Sequence, residues 1–272
     1  MEARESAVVH PGAGQALTRR AFALGAASGL LLACRASRPV TLGVQSYSFR
    51  DRPLDAAIAG MQRLGLTSCE LWQGHLEPRP VPRDELRRWR ETVEIGVFHR
   101  VREQLAKASI SLSAYNLSFR DDFSEAEIER GFEMARALGA PAITSSSNVA
   151  TVARIAPVAA RQQMVVAVHN HSRLDANEFA SAASLTGALA QGSFIAVNLD
   201  IGHFTAANED AVAFLSAHHN RITTLHLKDR KRAEGPNVEF GAGDTPIGPV
   251  LKLLREHGWP IPANIEYEYK GG

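Results

Sequence analysis

The chain has 272 residues, 45% of them hydrophobic, which allows one large α/β domain with a substantial core. Its formal net charge is +1 at pH 7, and residues 1–33 carry three arginines and two glutamates, so the remainder is balanced. A chain without a positive field is a poor candidate for a general nucleic-acid binder, whose affinity rests on neutralising phosphates; the expected substrate is a small molecule.

Residues 1–40 read as an address and linker ahead of one folded domain over 41–272. Thr18-Arg19-Arg20-Ala21-Phe22 has the twin-arginine pattern, and Ala23 to Ala33 behind it is uncharged and apolar apart from Ser28. That run of about a dozen residues is too short to span a bilayer and matches a signal h-region. Leu31-Leu32-Ala33-Cys34 has the form of a lipobox, whose cysteine would become a lipidated N-terminus. The expectation is export by the twin-arginine route, to the periplasm or to a membrane-anchored lipoprotein. Cys69 is the other cysteine; with Cys34 lipidated or removed, no disulfide is expected, and Cys69 reads as a small core residue.

From residue 41 onward, strands and helices alternate. A strand over 41–45 precedes an amphipathic helix over 54–64 closed by Gly65, and 67–72 is a second strand. A proline-bearing loop leads to a long charged helix over 83–108, a third strand over 110–116 and a helix over 125–138 closed by Gly139. A fourth strand (141–145), a helix (149–160), a fifth strand (164–170) and a helix (177–190) follow. The sixth strand covers 194–200, a helix 209–217, the seventh strand 221–228, a last helix 246–257 and the eighth strand 261–268. Short apolar strands alternating with amphipathic helices mark parallel βα units buried on both faces, and eight of them favour a closed (β/α)8 TIM barrel. No Gly-x-Gly-x-x-Gly follows the first strand, which weakens a dinucleotide-binding reading. The sequence ends directly after the eighth strand, so the expected barrel lacks its final helix. A shortened chain and a partner subunit, such as a second copy, both remain open as explanations.

Barrel enzymes place their reactive residues at the C-terminal strand ends. Those ends carry Glu70, Trp72 and His75 (second strand), Asn116 (third), His169 and His171 (fifth), Asp200 and His203 (sixth), His226 and Lys228 (seventh), and Glu266 and Glu268 (eighth). Five of the ten histidines lie there, whereas His99, His218, His219 and His257 read as solvated helix positions. Carboxylates and neutral imidazoles converging on one mouth suit a divalent cation with positions left open for substrate.

Asn198-Leu199-Asp200-Ile201-Gly202-His203, His226-Leu227-Lys228-Asp229 and Ile265-Glu266-Tyr267-Glu268 resemble the last three signatures of the xylose-isomerase-like superfamily, which includes sugar phosphate isomerase/epimerase-type proteins. The resemblance implies a metal held by Asp200, His226 and Glu266, with one more ligand from the fifth strand. Epimerases of the superfamily supply a glutamate there; this chain has Ala167. Strand alternation puts His169 and His171 on the side of Ala167, making His169 the first choice and His171 the second. Mn²⁺, Co²⁺ or Mg²⁺ suit such a mixed site, and a second histidine shifts the balance towards Zn²⁺ or Fe²⁺.

The reaction implied is proton abstraction beside the carbonyl of a sugar or keto-sugar. Glu70 or His171 would act as base, Lys228 would stabilise the developing oxyanion, and Trp72, His75, Asn116, His203 and Glu268 would contact substrate. Reprotonation gives isomerisation or epimerisation; loss of a β-substituent gives dehydration or cleavage of a 3-keto-glycoside. A non-catalytic, exported sugar-binding lipoprotein is the competing expectation, since Ala167 removes one familiar ligand.

Overall fold

In a computed structural model of the protein, residues 39–269 are described. The twin-arginine and lipobox segments lie outside them. In chain order the elements begin β1 (Leu42–Gln45), α1 (Leu54–Arg63), β2 (Ser68–Trp72), α2 (Arg83–Thr92), α3 (Gly96–Lys107), β3 (Ser111–Asn116) and α4 (Glu125–Leu138). Then come β4 (Ala142–Ser145), α5 (Val149–Gln162), β5 (Val165–His169), α6 (Ala182–Leu189), β6 (Ile195–Asp200), α7 (Ile201–Ala206) and α8 (Ala211–His218). The chain continues with β7 (Ile222–Leu227), β8 (Asp229–Arg230), β9 (Asn237–Val238), α9 (Ile247–His257) and β10 (Ala263–Ile265). Eight parallel strands close in the order β1-β10-β7-β6-β5-β4-β3-β2, while β8 and β9 form a separate antiparallel pair. This is the expected TIM barrel.

The strands are buried on both faces, but the two faces differ chemically. Leu71, Ile143, Val166, Val168, Val197, Leu199 and Leu225 are fully buried in the apolar core with the helices. The alternate residues fill the barrel interior with polar groups: Gln45, Glu70, Thr144, Asn198 and Asn264 are each 1% exposed or less. Glu70 is their hub. Its carboxylate accepts from Gln45 (2.8 Å), Thr144 (2.6 Å), Asn198 (3.3 Å) and Asn264 (3.1 Å), with His226 Nε2 at 2.9 Å. A buried carboxylate without such donors would be strongly unfavourable, so five strands are tied to one anion. Gly43 makes room for this layer, because a Cβ there would lie 2.4 Å from Asn264 Oδ1 and 2.9 Å from the Ser68 carbonyl oxygen.

Four boundaries depart from expectation. The helix expected over 83–108 is two helices, broken at Val93, whose ψ of 137° is extended. Thr92 and Val93 are both β-branched, and Arg130 takes the freed Val93 carbonyl. The helix expected from 177 begins only at Ala182, because Asn177 and Phe179 are held as loop by backbone bonds to Val149 and His171; Ser181 caps it. α7 and the β8–β9 pair were not expected from the sequence. β10 has three residues, leaving Glu266 and Glu268 just beyond the strand.

Among the described residues no helix is long and apolar enough to cross a membrane. A groove of about 360 Å³ lies between β1 and α9, lined by Val40, Leu42 and Leu251, and Leu42 is 47% exposed.

Candidate metal centre and active site

A polar cavity of about 340 Å³ opens at the C-terminal mouth of the barrel. Of the residues expected there, Trp72, Asn116, His169, His171, His203, His226, Lys228, Glu266 and Glu268 line it. Asp200 lies fully buried beneath the lining. Two do not reach it. Glu70, expected as a base, is sealed under His226 with both oxygens occupied by donors, so it has no path to a substrate proton. His75, expected as a substrate contact, turns back to the Ser46 carbonyl oxygen (3.0 Å) and packs edge-on against Trp72.

Ligand atoms of His169, Asp200, His226 and Glu266 all lie within 4.8 Å of one another, and all four residues are buried. β5, β6, β7 and the turn after β10 deliver them, one each. Asp200 serves two purposes: Oδ1 caps α7 by accepting from the His203 amide (2.7 Å), and Oδ2 faces the cluster. Asn170 braces the neighbouring strand ends, donating to the Asp200 carbonyl oxygen and accepting the Asp200 amide at 3.0 and 2.9 Å.

His226 has Glu266 3.0 Å from Nδ1 and Glu70 2.9 Å from Nε2. Burial alone would depress its pKa, but the two carboxylates outweigh burial and raise it well above the ordinary value. His169 has no such partner, and burial together with the neighbouring His226 keeps it neutral, well below the ordinary value. Burial pushes the Asp200 carboxyl up to about 6 against the pull of Lys228.

The Lys228 ammonium sits among acids: Nζ is 3.0 Å from Asp200, 2.7 Å from Glu266 and 2.6 Å from Glu268. Burial would lower its pKa, but these carboxylates prevail and raise it. Its stem passes where a side chain on residue 202 would stand, since a Cβ on Gly202 would lie 2.3 Å from Lys228 Cγ. That explains the glycine in Asp200-Ile201-Gly202-His203. Lys228 does not pair with Asp229, whose carboxylate instead receives the Gly241, Gly243 and Thr245 amides.

Two more histidines face the cavity. The His203 ring lies between two cations, with Arg230 Nη1 2.6 Å from Nδ1 and Lys228 Nζ 3.1 Å from Nε2. Burial and Lys228 hold His203 neutral. His171 Nδ1 is 3.2 Å from Glu178, which leaves Nε2 free of protein partners.

A sequence profile described as a xylose isomerase-like TIM barrel matches residues 58–271. The chain belongs to that family. No protein of curated function matches its sequence. Solved structures share the xylose isomerase-like fold at low identity. The probable 3-DHS dehydratase AsbF of Bacillus anthracis is 15% identical with a TM-score of 0.65, covering 84% of this chain and 93% of its own. A sugar phosphate isomerase/epimerase from Parabacteroides distasonis is 13% identical with a TM-score of 0.61 (88% and 92% covered). The IOLI protein with a bound zinc atom is 14% identical with a TM-score of 0.62 (85% and 90% covered).

The donor set fits a divalent ion of the kind this family implies. His169 Nδ1 is buried without a hydrogen-bond partner among the described residues, Asp200 Oδ2 faces the Lys228 ammonium at 3.0 Å, and two imidazoles with two carboxylates form a mixed set suited to divalent cations. If His226 gives up its Nδ1 proton, Nε2–H remains on Glu70, the outer carboxylate that orients a ligating imidazole.

Sequence reasoning missed Gln45, Tyr47, Ser118, Arg120 and Ser146, which also line the cavity. Gln45 and Tyr47 stand at the end of β1, and the strand-end rule applied to the first strand would have found them. Glu178 and Arg230 gave no signal, since loop geometry alone brings them to His171 and His203.

Proposed function

We propose that this family member is a divalent-metal-dependent enzyme that moves a proton on the carbon beside the carbonyl of a sugar or keto-sugar, giving isomerisation or epimerisation. The observation that carries this reading is the buried quartet His169, Asp200, His226 and Glu266 beside a histidine–carboxylate pair aimed into the same cavity. A bound divalent ion would supply Lewis-acid polarisation of the substrate oxygens. His171, oriented by Glu178, takes the proton at Nε2 and can return it. His203, held between Arg230 and Lys228, contacts a substrate oxygen, and Lys228 supplies positive charge where an oxyanion develops. Trp72 and Asn116 position the sugar, with Trp72 offering a ring face. The same proton abstraction followed by loss of a β-substituent would make the enzyme a dehydratase or 3-keto-glycoside lyase. The names of the structural neighbours, a probable dehydratase and an isomerase/epimerase, support both outcomes.

A second reading has its own observation. Because Lys228 already neutralises Asp200 and Glu266, the cavity could serve a metal-free sugar-binding protein. Metal content separates the two readings. About one equivalent of Mn²⁺, Co²⁺ or Zn²⁺ per chain, lost in a folded Asp200→Ala/His226→Ala variant, supports the enzyme. No uptake by the parent chain sinks it and leaves the binding protein.

We further propose export by the twin-arginine route and lipidation at Cys34, supported by the motifs over 18–34. Fractionation of cells carrying an Arg19→Lys/Arg20→Lys variant should find the chain retained inside, and Cys34→Ser should release it from the membrane fraction. Unchanged distributions would refute each in turn.

A further inference from the structure

A second cavity, of about 290 Å³, adjoins the first on the β2–β3 side, and the two share Trp72, Ser118 and Arg120 in their walls. Its remaining lining includes Arg83, Arg90 and Phe123. Two of the three guanidiniums are committed to acids. Arg90 is buried and holds Glu77 (2.7 Å) and Glu127 (3.2 Å), while Arg83 pairs with Asp122 and with Glu127 (2.8 Å). Donors remain. Arg83 Nη1 is buried without a partner, and the exposed Arg120 side chain makes no ion pair with another described residue. At the rim, Arg79 lies 4.4 Å over the Trp72 ring.

The composite cavity is therefore polarised. Its β6–β10 side carries Asp200, Glu266 and Glu268 around Lys228, and its β2–β3 side presents unspent guanidinium donors next to an aromatic ring. Arginine forks match carboxylate and phosphate oxygens in pairs, and their charge is worth most beside a low-dielectric wall such as Phe123 and Trp72. The geometry points to a subsite for an anionic group, a carboxylate or a phosphate, carried by the substrate and bound by Arg120, with Arg83 in the same wall. This rests on reading the first cavity as the sugar site. It makes the substrate an acidic or phosphorylated sugar, or a glycoside with an anionic second unit, rather than a free neutral monosaccharide.

The test is calorimetric titration of the metal-supplemented protein and its Arg120→Met variant with D-glucose, D-glucuronate and D-glucose 6-phosphate. Because Arg120 is exposed and unpaired, its removal should leave the fold and the metal content unchanged. At least one anionic sugar should bind tenfold or more tighter than glucose, lose that advantage in Arg120→Met and weaken as NaCl is raised. Which anion prevails distinguishes carboxylate from phosphate. Equal binding of neutral and anionic sugars, or a preference that survives Arg120→Met, overturns the subsite. If no sugar binds, the sugar reading of the first cavity fails by itself. Inorganic phosphate and acetate then decide the subsite: movement of the Arg120 Nε–H NMR signal, assigned by its loss in Arg120→Met, supports it, and no movement refutes it.

Discussion

Glu70 has the acidity and strand-end position of a general base, yet its neighbours give it another task. An acid under a histidine, saturated with donors, fixes the ring rather than touching substrate. Glu70→Gln preserves volume and should keep the fold while lowering divalent-metal affinity by about 10–100-fold; an unchanged affinity by calorimetry would show that Glu70 is only core. Asp200 and His226 set the pH response together. The Asp200 carboxyl, lifted to about 6 by burial, lies above the unfolded value of 3.8. Its contribution to the stability of the metal-free chain is therefore present below 3.8 and lost as pH rises through about 6. Metal binding needs Asp200 ionised and the His226 Nδ1 proton released, so affinity should fall from pH 7 to pH 5, with more protons released on binding at the lower pH. A flat profile would contradict the placement of both residues in the donor set.

At the scale of elements, the loop from β2 to α4 rests on a buried ion network. Glu127 has a fully buried side chain and accepts from Arg83, Arg90 and the Ser124 amide, closing the capping box of α4. Glu127→Ala strands two guanidiniums and should cost about 3–5 kcal/mol in urea unfolding. Ser124→Ala removes one cap bond and should cost about 1 kcal/mol. Similar losses for both would mean that the network contributes nothing beyond the cap. The strands were legible because apolar runs of four to six residues have few alternatives. The breaks were not: the α2–α3 interruption depends on Arg130 capturing a carbonyl, and the late start of α6 depends on a loop bonded to α5 and to His171. Such contacts come from distant parts of the chain and leave no local pattern.

For the whole molecule, the barrel and its mouth could be read from strand-end residues taken in order, while Asp200, His226 and Glu266 were marked as ligands by the resemblance of their motifs to the family. His169 entered as the replacement for the glutamate missing at Ala167, by side-chain alternation, and the structure gathers it with Asp200, His226 and Glu266. Asn198 and Asn264 gave no warning that the barrel interior is polar, because a buried asparagine looks like any other until its partner across the barrel is known. The quartet joins strands from one side of the barrel, so a divalent ion should raise the unfolding midpoint by an amount that grows with its free concentration over Kd. A midpoint indifferent to metal would mean that the folded chain does not take up the ion.

The carboxylate at the centre of the barrel also constrains how this sequence can vary. Gln45, Thr144, Asn198 and Asn264 come from four different strands and donate to the same two oxygens. Gln45, Thr144 and Asn198 meet Oε1 while Asn264 and His226 meet Oε2, so a change at any one reshapes the donor set that holds the anion. Replacements at these four sites should therefore be inherited together, with Glu70 and Gly43 among them, as a single unit of descent inside a barrel whose outer helices drift residue by residue.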